Sequence, residues 1–151
     1  ATMVVQNSDG IREIAAEDFF IGPDVDIERM TVLEPGDVLT SIKIPARWAG
    51  ATFYFEKVAD RATWDFPLVN IAAAIQLSGN TVEDIRIVCG AVSCVPRRLT
   101  VVEDIVRGST RDAETIDLAA GASSRGAVTL NYNHFKIPLM ENLVRRAIRD
   151  A

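Results

Sequence analysis

Residues 53–77, FYFEKVADRATWDFPLVNIAAAIQL, decide the fold of this chain and concentrate its polar chemistry. The aromatic start of this stretch is typical of a strand, and its last nine residues form a second strand with almost no polar side chains. The segment between the two strands carries four chemically distinctive residues: Lys57, Arg61, Trp64 and Asp65. Because Pro67 prevents a helix from continuing, we expect an irregular loop that a rigid sheet presents to another molecule.

Composition indicates a soluble globular protein with one domain, or one small domain joined to a piece of another. The chain has 151 residues, of which 48% are hydrophobic and 25% charged. Its net charge of −5 disfavours nucleic acid, because phosphates require a basic surface. No apolar run approaches the roughly 20 residues that a membrane span needs, and no basic signal region begins the chain. We therefore expect a cytoplasmic protein without a membrane span.

The metal-ligating residues are too few for a closed metal site. The chain has two cysteines, Cys89 and Cys94, and one histidine, His134. A structural zinc site or an iron–sulfur cluster usually needs four ligands of these types. Both cysteines are therefore interpreted as reduced structural residues, with Cys89 on the apolar face of a strand.

The first third of the chain predicts short strands joined by turns. Residues 3–6 and 11–14 form a hairpin around Asn-Ser-Asp-Gly, and residues 30–33 are a possible strand. Residues 38–44 are a convincing strand. Strict alternation places Leu39 on one face with Ser41 and Lys43, opposite Val38, Ile42 and Ile44. Residues 45–50 look like a boundary between two structural units.

The remaining two thirds predict an α+β unit: a three-stranded antiparallel sheet packed with about three helices. The strands are expected near residues 51–58, 69–78 and 82–92. One helix follows Thr100, whose spacing to Glu103 indicates a capping box. The second begins near Asp112, and the third begins near Pro138. The apolar stripe of the third helix consists of Met140, Leu143, Val144, Ala147 and Ile148.

Five motifs occur in the order of one known family. The first is Tyr-x-Glu-Lys-x-x-x-Arg-x-x-x-Asp over residues 54–65. The others are CGAVSCVP (89–96), LEPGDVLTSIKIP (33–45), DFFIGP (18–23), and YNHF (132–135) leading to LVRRA (143–147). Together they resemble the C-terminal half of the FAD-carrying medium subunit of molybdenum hydroxylases, the group that includes xanthine dehydrogenase and aerobic carbon monoxide dehydrogenase.

The resemblance implies a domain organisation. Residues 1–48 would form the end of an FAD-binding α/β domain, and residues 49–151 would form the flavoprotein C-terminal α+β domain. A dinucleotide pyrophosphate needs convergent backbone N–H groups, usually from glycine-rich turns. The glycines here are scattered singly. The family's glycine-rich segments are therefore expected in a missing N-terminal half, and this chain alone is expected not to hold FAD tightly.

The resemblance also implies roles for five residues. Lys57 would lie near the flavin and tune its electrostatics, and Arg61 would anchor the loop or neutralise charge. Trp64 and Asp65 would gate access of the electron acceptor, while Leu39 would pack against FAD. The residues alone leave other interpretations open: loop charges that pair with one another in solvent, Trp64 as filler beneath the loop, and Leu39 as ordinary core.

As a function, the resemblance implies electron transfer without substrate chemistry in this chain. Electrons would leave a molybdopterin centre in a large subunit, pass through 2Fe-2S clusters in a small subunit and reach FAD, which serves an acceptor such as NAD. One alternative is a subunit-docking α+β module that contacts no cofactor. Another is a small enzyme that uses Lys57, Arg61 and Asp65 as acid–base groups, which would need a pKa near the working pH.

Overall fold

The computed structural model describes all 151 residues and divides into two compact units, Ala1–Ala49 and Gly50–Ala151. Each unit has its own sheet and its own hydrophobic core. The division lies one residue beyond the predicted boundary at residue 48. The assignment of these units to an FAD-binding domain and a flavoprotein C-terminal domain stays a prediction.

The first unit is a three-stranded antiparallel sheet with a short helix. Its elements are β1 (Thr2–Asn7), β2 (Gly10–Ala15), α1 (Ala16–Phe19) and β3 (Val38–Lys43), and the strand order is β2-β1-β3. The predicted hairpin is confirmed. The possible strand at 30–33 is wrong, because only one isolated bridge forms there, between Phe20 and Thr31.

A bulge in β3 corrects the predicted faces of that strand. Val4 of β1 lies opposite Ser41, but Val5 lies opposite Leu39, so Thr40 is an extra residue without a partner. Directly opposed residues lie on the same face of a sheet. Leu39 therefore lies on the same face as buried Val5, and Ser41 lies on the opposite face with Val4. Strict alternation was therefore wrong for this strand.

The second unit has a four-stranded antiparallel sheet in the order β4-β5-β6-β7. The strands are β4 (Thr52–Val58), β5 (Val69–Ser78), β6 (Thr81–Gly90) and β7 (Arg97–Arg98). The α+β fold class is confirmed. The sheet has one strand more than predicted, because β7 contains only two residues and so has no readable periodicity.

Three helices follow the sheet: α2 (Thr100–Val106), α3 (Ala113–Ser123) and α4 (Lys136–Asp150). The Asp112 carboxylate caps α3 by accepting from the Thr115 amide at 2.9 Å. The α4 helix begins two residues before the predicted Pro138. Its predicted apolar stripe is buried throughout. No helix in the structure combines the length and the apolar character that crossing a bilayer requires.

The predicted capping box at the start of α2 is wrong. No side chain caps this helix. Glu103 is buried instead, and its carboxylate accepts from the Ile87 amide at 3.2 Å and from two nitrogens of Arg98 at 2.9 and 2.8 Å. The glutamate therefore joins α2 to β6 and to the Arg98 strand rather than closing its own helix end.

The sheet of the second unit has two chemically different faces. The inner face, which packs on the helices, includes the fully buried side chains of Ile71, Ile75, Ile85 and Ile87. We define the outer face as the alternate positions of β4, β5 and β6: Phe53, Phe55, Lys57, Asn70, Ala72, Ala74, Arg86, Val88 and Gly90. The outer face is exposed or half-buried along its length.

Candidate functional site

The candidate site begins where β4 ends. We call residues 59–68, which join β4 to β5, the site loop. It contains no helix, as predicted. The Leu68 amide donates to the Val58 carbonyl at 2.7 Å and closes the loop onto the sheet, while Pro67 has no amide to extend a helical ladder.

Asp65 organises the site loop. Its carboxylate accepts from the backbone amides of Arg61 and Phe66, each at 3.0 Å, and from the Arg61 guanidinium at 3.2 Å. The side-chain hydrogen bond from Arg61, followed by the two backbone hydrogen bonds, holds the pKa of Asp65 below its ordinary value. Asp65 therefore remains a carboxylate at neutral pH, which disfavours the acid–base enzyme hypothesis.

Lys57 completes this arrangement. Its Nζ donates to the backbone carbonyl of Asp65 at 2.9 Å, so the structure brings Lys57, Arg61 and Asp65 together in one hydrogen-bonded loop. Of the loop charges, Arg61 and Asp65 pair with one another, whereas Lys57 contacts a backbone carbonyl and no carboxylate. An exposed ion pair of this kind contributes little to folding, which leaves a cofactor role for these residues as a prediction.

The Trp64 side chain is exposed at the surface of the site loop. It is 88% exposed, and the neighbouring Phe66 is 82% exposed. Hydrophobic filler beneath a loop has to be buried, so that interpretation of Trp64 does not describe this chain. Two large aromatic side chains are left available for contact with another molecule.

The Tyr-x-Glu-Lys motif divides between the two faces of the sheet. Tyr54 packs against the core, and its hydroxyl donates to Glu56 at 2.6 Å. Glu56 in turn pairs with Arg146 of α4 at 2.9 Å. Burial, reinforced by Glu56, raises the pKa of Tyr54 to about 12. Tyr54 and Glu56 therefore attach β4 to α4, whereas Lys57 belongs to the outer face.

Asn70 and Gly90 are site neighbours that the sequence reasoning missed. Lys57, Asn70 and Gly90 form one cross-strand row, because Asn70 pairs with both of the others. The Asn70 Oδ1 atom is buried without a hydrogen-bond partner, and a Cβ added at Gly90 would lie 2.2 Å from it. An asparagine inside an otherwise apolar strand was the available signal.

The CGAVSCVP motif reaches the same end of the sheet as the site loop, since β6 ends opposite the start of β5. Ala91 adopts a positive φ of 63°, which is uncommon for alanine, and its carbonyl accepts from Lys136 at 2.6 Å. Cys89 is buried, and burial raises its pKa to about 12, while Cys94 is exposed. Both cysteines are free, and Cys89 is structural as predicted.

Leu39 is the one predicted site residue outside the second unit. It lies in β3 of the first unit, with 38% of its side chain exposed. The structure therefore groups four of the five predicted residues at the end of β4, and it describes Leu39 within a separate unit.

Comparisons with known proteins agree on one family. Residues 54–151 match the family model described as CO dehydrogenase flavoprotein C-terminal domain. The nicotine 6-hydroxylase medium subunit of Paenarthrobacter nicotinovorans is 30% identical, over 97% of this chain and 50% of its own length. The glyceraldehyde dehydrogenase medium chain of Sulfolobus acidocaldarius is 35% identical, over 83% of this chain and 42% of its own length.

Solved structures give the same result. The carbon monoxide dehydrogenase of Hydrogenophaga pseudoflava superposes with a TM-score of 0.85 at 27% identity, over 97% of this chain and 50% of the matched chain. The chain thus spans about half the length of the curated relatives it matches.

Proposed function

The chain belongs to the CO dehydrogenase flavoprotein C-terminal domain family, which confirms the resemblance read from its motifs, and we propose that it is part of the flavoprotein medium subunit of a molybdenum-dependent hydroxylase or dehydrogenase. Its partners would be a molybdopterin-binding large subunit and an iron–sulfur small subunit with 2Fe-2S clusters. The activity belongs to that assembly, which we place in the cytoplasm.

The proposed cofactor is FAD, held mainly by the other half of the subunit. When bound, FAD would accept electrons from the iron–sulfur clusters and pass them to an acceptor such as NAD. The residues at the end of β4 fit such a group. Lys57 supplies a cation, and Trp64 and Phe66 supply exposed aromatic surface. A planar ring system with polar edges needs this combination of apolar contact and a few polar groups.

The main support for this proposal is the position of the Lys57 ammonium group. An ammonium group has three donors, and the structure uses one of them on the Asp65 carbonyl. That hydrogen bond fixes the position of the cation while leaving donors for a bound molecule. A fixed positive charge beside a flavin favours the anionic reduced form and raises the reduction potential. We assign this tuning role to Lys57.

The other predicted residues have supporting roles in this proposal. Arg61 and Asp65 hold the shape of the site loop through the hydrogen bonds between them. Trp64, which is exposed, would limit access of the electron acceptor. The predicted contact of Leu39 with FAD stays a prediction.

The experiment is a redox titration of the flavin in the full-length subunit with Lys57→Gln. We expect the midpoint potential to fall by a few tens of millivolts, because one nearby screened charge is lost. Lys43→Gln is the matched control, since Lys43 pairs with Glu13 in the first unit and should leave the potential unchanged.

The second candidate function is the docking module. It is favoured by the exposed rings of Phe53 and Phe55, which no cofactor chemistry explains. An unchanged potential in Lys57→Gln, combined with weaker assembly with the partner subunits, would support docking alone.

A further inference from the structure

The outer face of the second unit's sheet carries an apolar patch that this chain leaves open. We call it the phenylalanine patch: Phe53, Phe55, Ala72, Ala74 and Val88. The rings of Phe53 and Phe55 are 65% and 67% exposed. Together they leave on the order of 250 Å² of aromatic surface open. That area approaches the largest apolar patch of a typical monomer, which is often an interaction site.

The register explains why the patch is broad and flat. Phe53 lies opposite Ala74, and Phe55 lies opposite Ala72. Ala72 in turn lies opposite Val88 on the next strand. Small residues beside large rings leave a shallow surface about 10 Å wide across three strands. A shallow surface of this kind suits the side of a helix or a second sheet.

The chemistry of the patch excludes most small-molecule sites. Its five side chains carry no hydrogen-bonding group. A cofactor site needs precisely placed polar groups in addition to apolar walls, whereas a polypeptide can cover an apolar face with apolar side chains alone. The polar groups lie beyond the patch, where Lys57 and Asn70 form the next cross-strand pair along the face.

We infer that the phenylalanine patch is the docking surface for the remainder of the same medium subunit, outside this chain. This inference rests on the proposed function. The curated relatives are about twice as long as this chain, so a subunit of that class has a comparable length of polypeptide to place. The patch continues into the row of Lys57, Asn70 and Gly90, so the polypeptide that covers the patch would end beside the proposed cofactor site.

Hydroxyl-radical footprinting of the full-length subunit tests the inference without any substitution. Oxidation of Phe53 and Phe55 is measured by mass spectrometry in the isolated subunit with flavin, in the same subunit after flavin removal, and in the assembled enzyme. The urea-unfolded subunit gives the reactivity of uncovered rings. We expect both rings to react several-fold more slowly than in urea in all three folded samples and at every protein concentration.

Each other outcome overturns the inference. Full reactivity in the isolated subunit means that nothing in the subunit covers the patch. Protection that appears only after assembly assigns the patch to a partner subunit, and protection that requires flavin assigns it to the cofactor. Protection that is lost on dilution assigns it to a second copy. A full-length subunit that binds no flavin but protects both rings would refute the proposed function while leaving the docking surface in place.

Discussion

The two faces of the sheet in the second unit alternate along the same strands, yet one is closed and the other is open. On the inner face, Ile71 and Ile87 are at most 1% exposed, whereas Phe53 and Phe55 on the outer face are about two-thirds exposed. The helices of this chain complete the inner face. An apolar pattern therefore identifies a strand, but it does not show whether other elements of the same chain bury the apolar face of that strand.

The largest expected loss of stability comes from Glu103, the buried charged residue between the inner face of the sheet and the helices. Glu103→Ala removes the acceptor for the Ile87 amide and for Arg98. Both partners lose their hydrogen bonds to the buried carboxylate, and hydrogen bonds to charged groups contribute about 1.5–3 kcal/mol each. We expect a total cost of about 3 kcal/mol, because Arg98, which is 34% exposed, regains water. We expect urea unfolding to show a loss of stability of this size.

Asp104→Ala is the matched control for Glu103. Asp104 lies next to it in α2 and pairs with Arg107, but its side chain is 72% exposed. An exposed pair contributes about 0–1 kcal/mol, so this variant should unfold almost like the wild type. Equal losses in the two variants would show that Glu103 is not a buried structural charge.

A second prediction compares the two faces directly. Ile87→Ala should cost about 2–5 kcal/mol, since the side chain is fully buried and leaves a cavity. Phe55→Ala should cost far less in the 151-residue chain, where the ring is mostly exposed. In the full-length subunit its cost should approach that of a buried phenylalanine, about 3–5 kcal/mol.

The measurement is urea unfolding of both variants in both lengths of protein. Ile87→Ala serves as the internal control, because its cost should be the same in the two lengths. A small cost for Phe55→Ala in the full-length subunit would show that the outer face stays in solvent, and the difference between the faces would then have no functional meaning.

Much of the second unit could be predicted because its signals are local. Alternation in residues 85–89 identifies β6, and Pro67 after a strand identifies the site loop without a helix. The grouping of Lys57 with Arg61 and Asp65 follows from the same loop. Their roles toward a cofactor come from family resemblance and stay predictions, since spacing alone cannot say what a loop faces.

The errors arose where tertiary contacts decide. A threonine followed three residues later by glutamate predicts a capping box, but Glu103 turns inward because Arg98 and the Ile87 amide offer a buried partner. The extra residue Thr40 shifts the faces of β3, and no local pattern marks it. Asn70 gains its place beside Lys57 only through strand pairing.

The smallest expected effect is a pH-dependent loss of stability in the site loop, whose shape depends on the hydrogen bonds of the Asp65 carboxylate. Hydrogen bonds keep the pKa of Asp65 below its ordinary value, so its contribution to stability is fully present above about pH 4. That contribution is lost as pH falls through the lowered pKa, when protonation removes the negative charge that strengthens the hydrogen bonds from the Arg61 and Phe66 amides.

An NMR titration of these two amides measures the effect directly. Their chemical shifts should change with a midpoint below the ordinary pKa of an aspartate, and Asp65→Asn should abolish the change. The Thr115 amide is the control, because it donates to Asp112, whose pKa is also lowered and which the variant leaves intact. A midpoint at or above the ordinary value would mean that the site loop is not held by Asp65, and the open side would then lack the fixed Lys57 cation on which the proposed function depends.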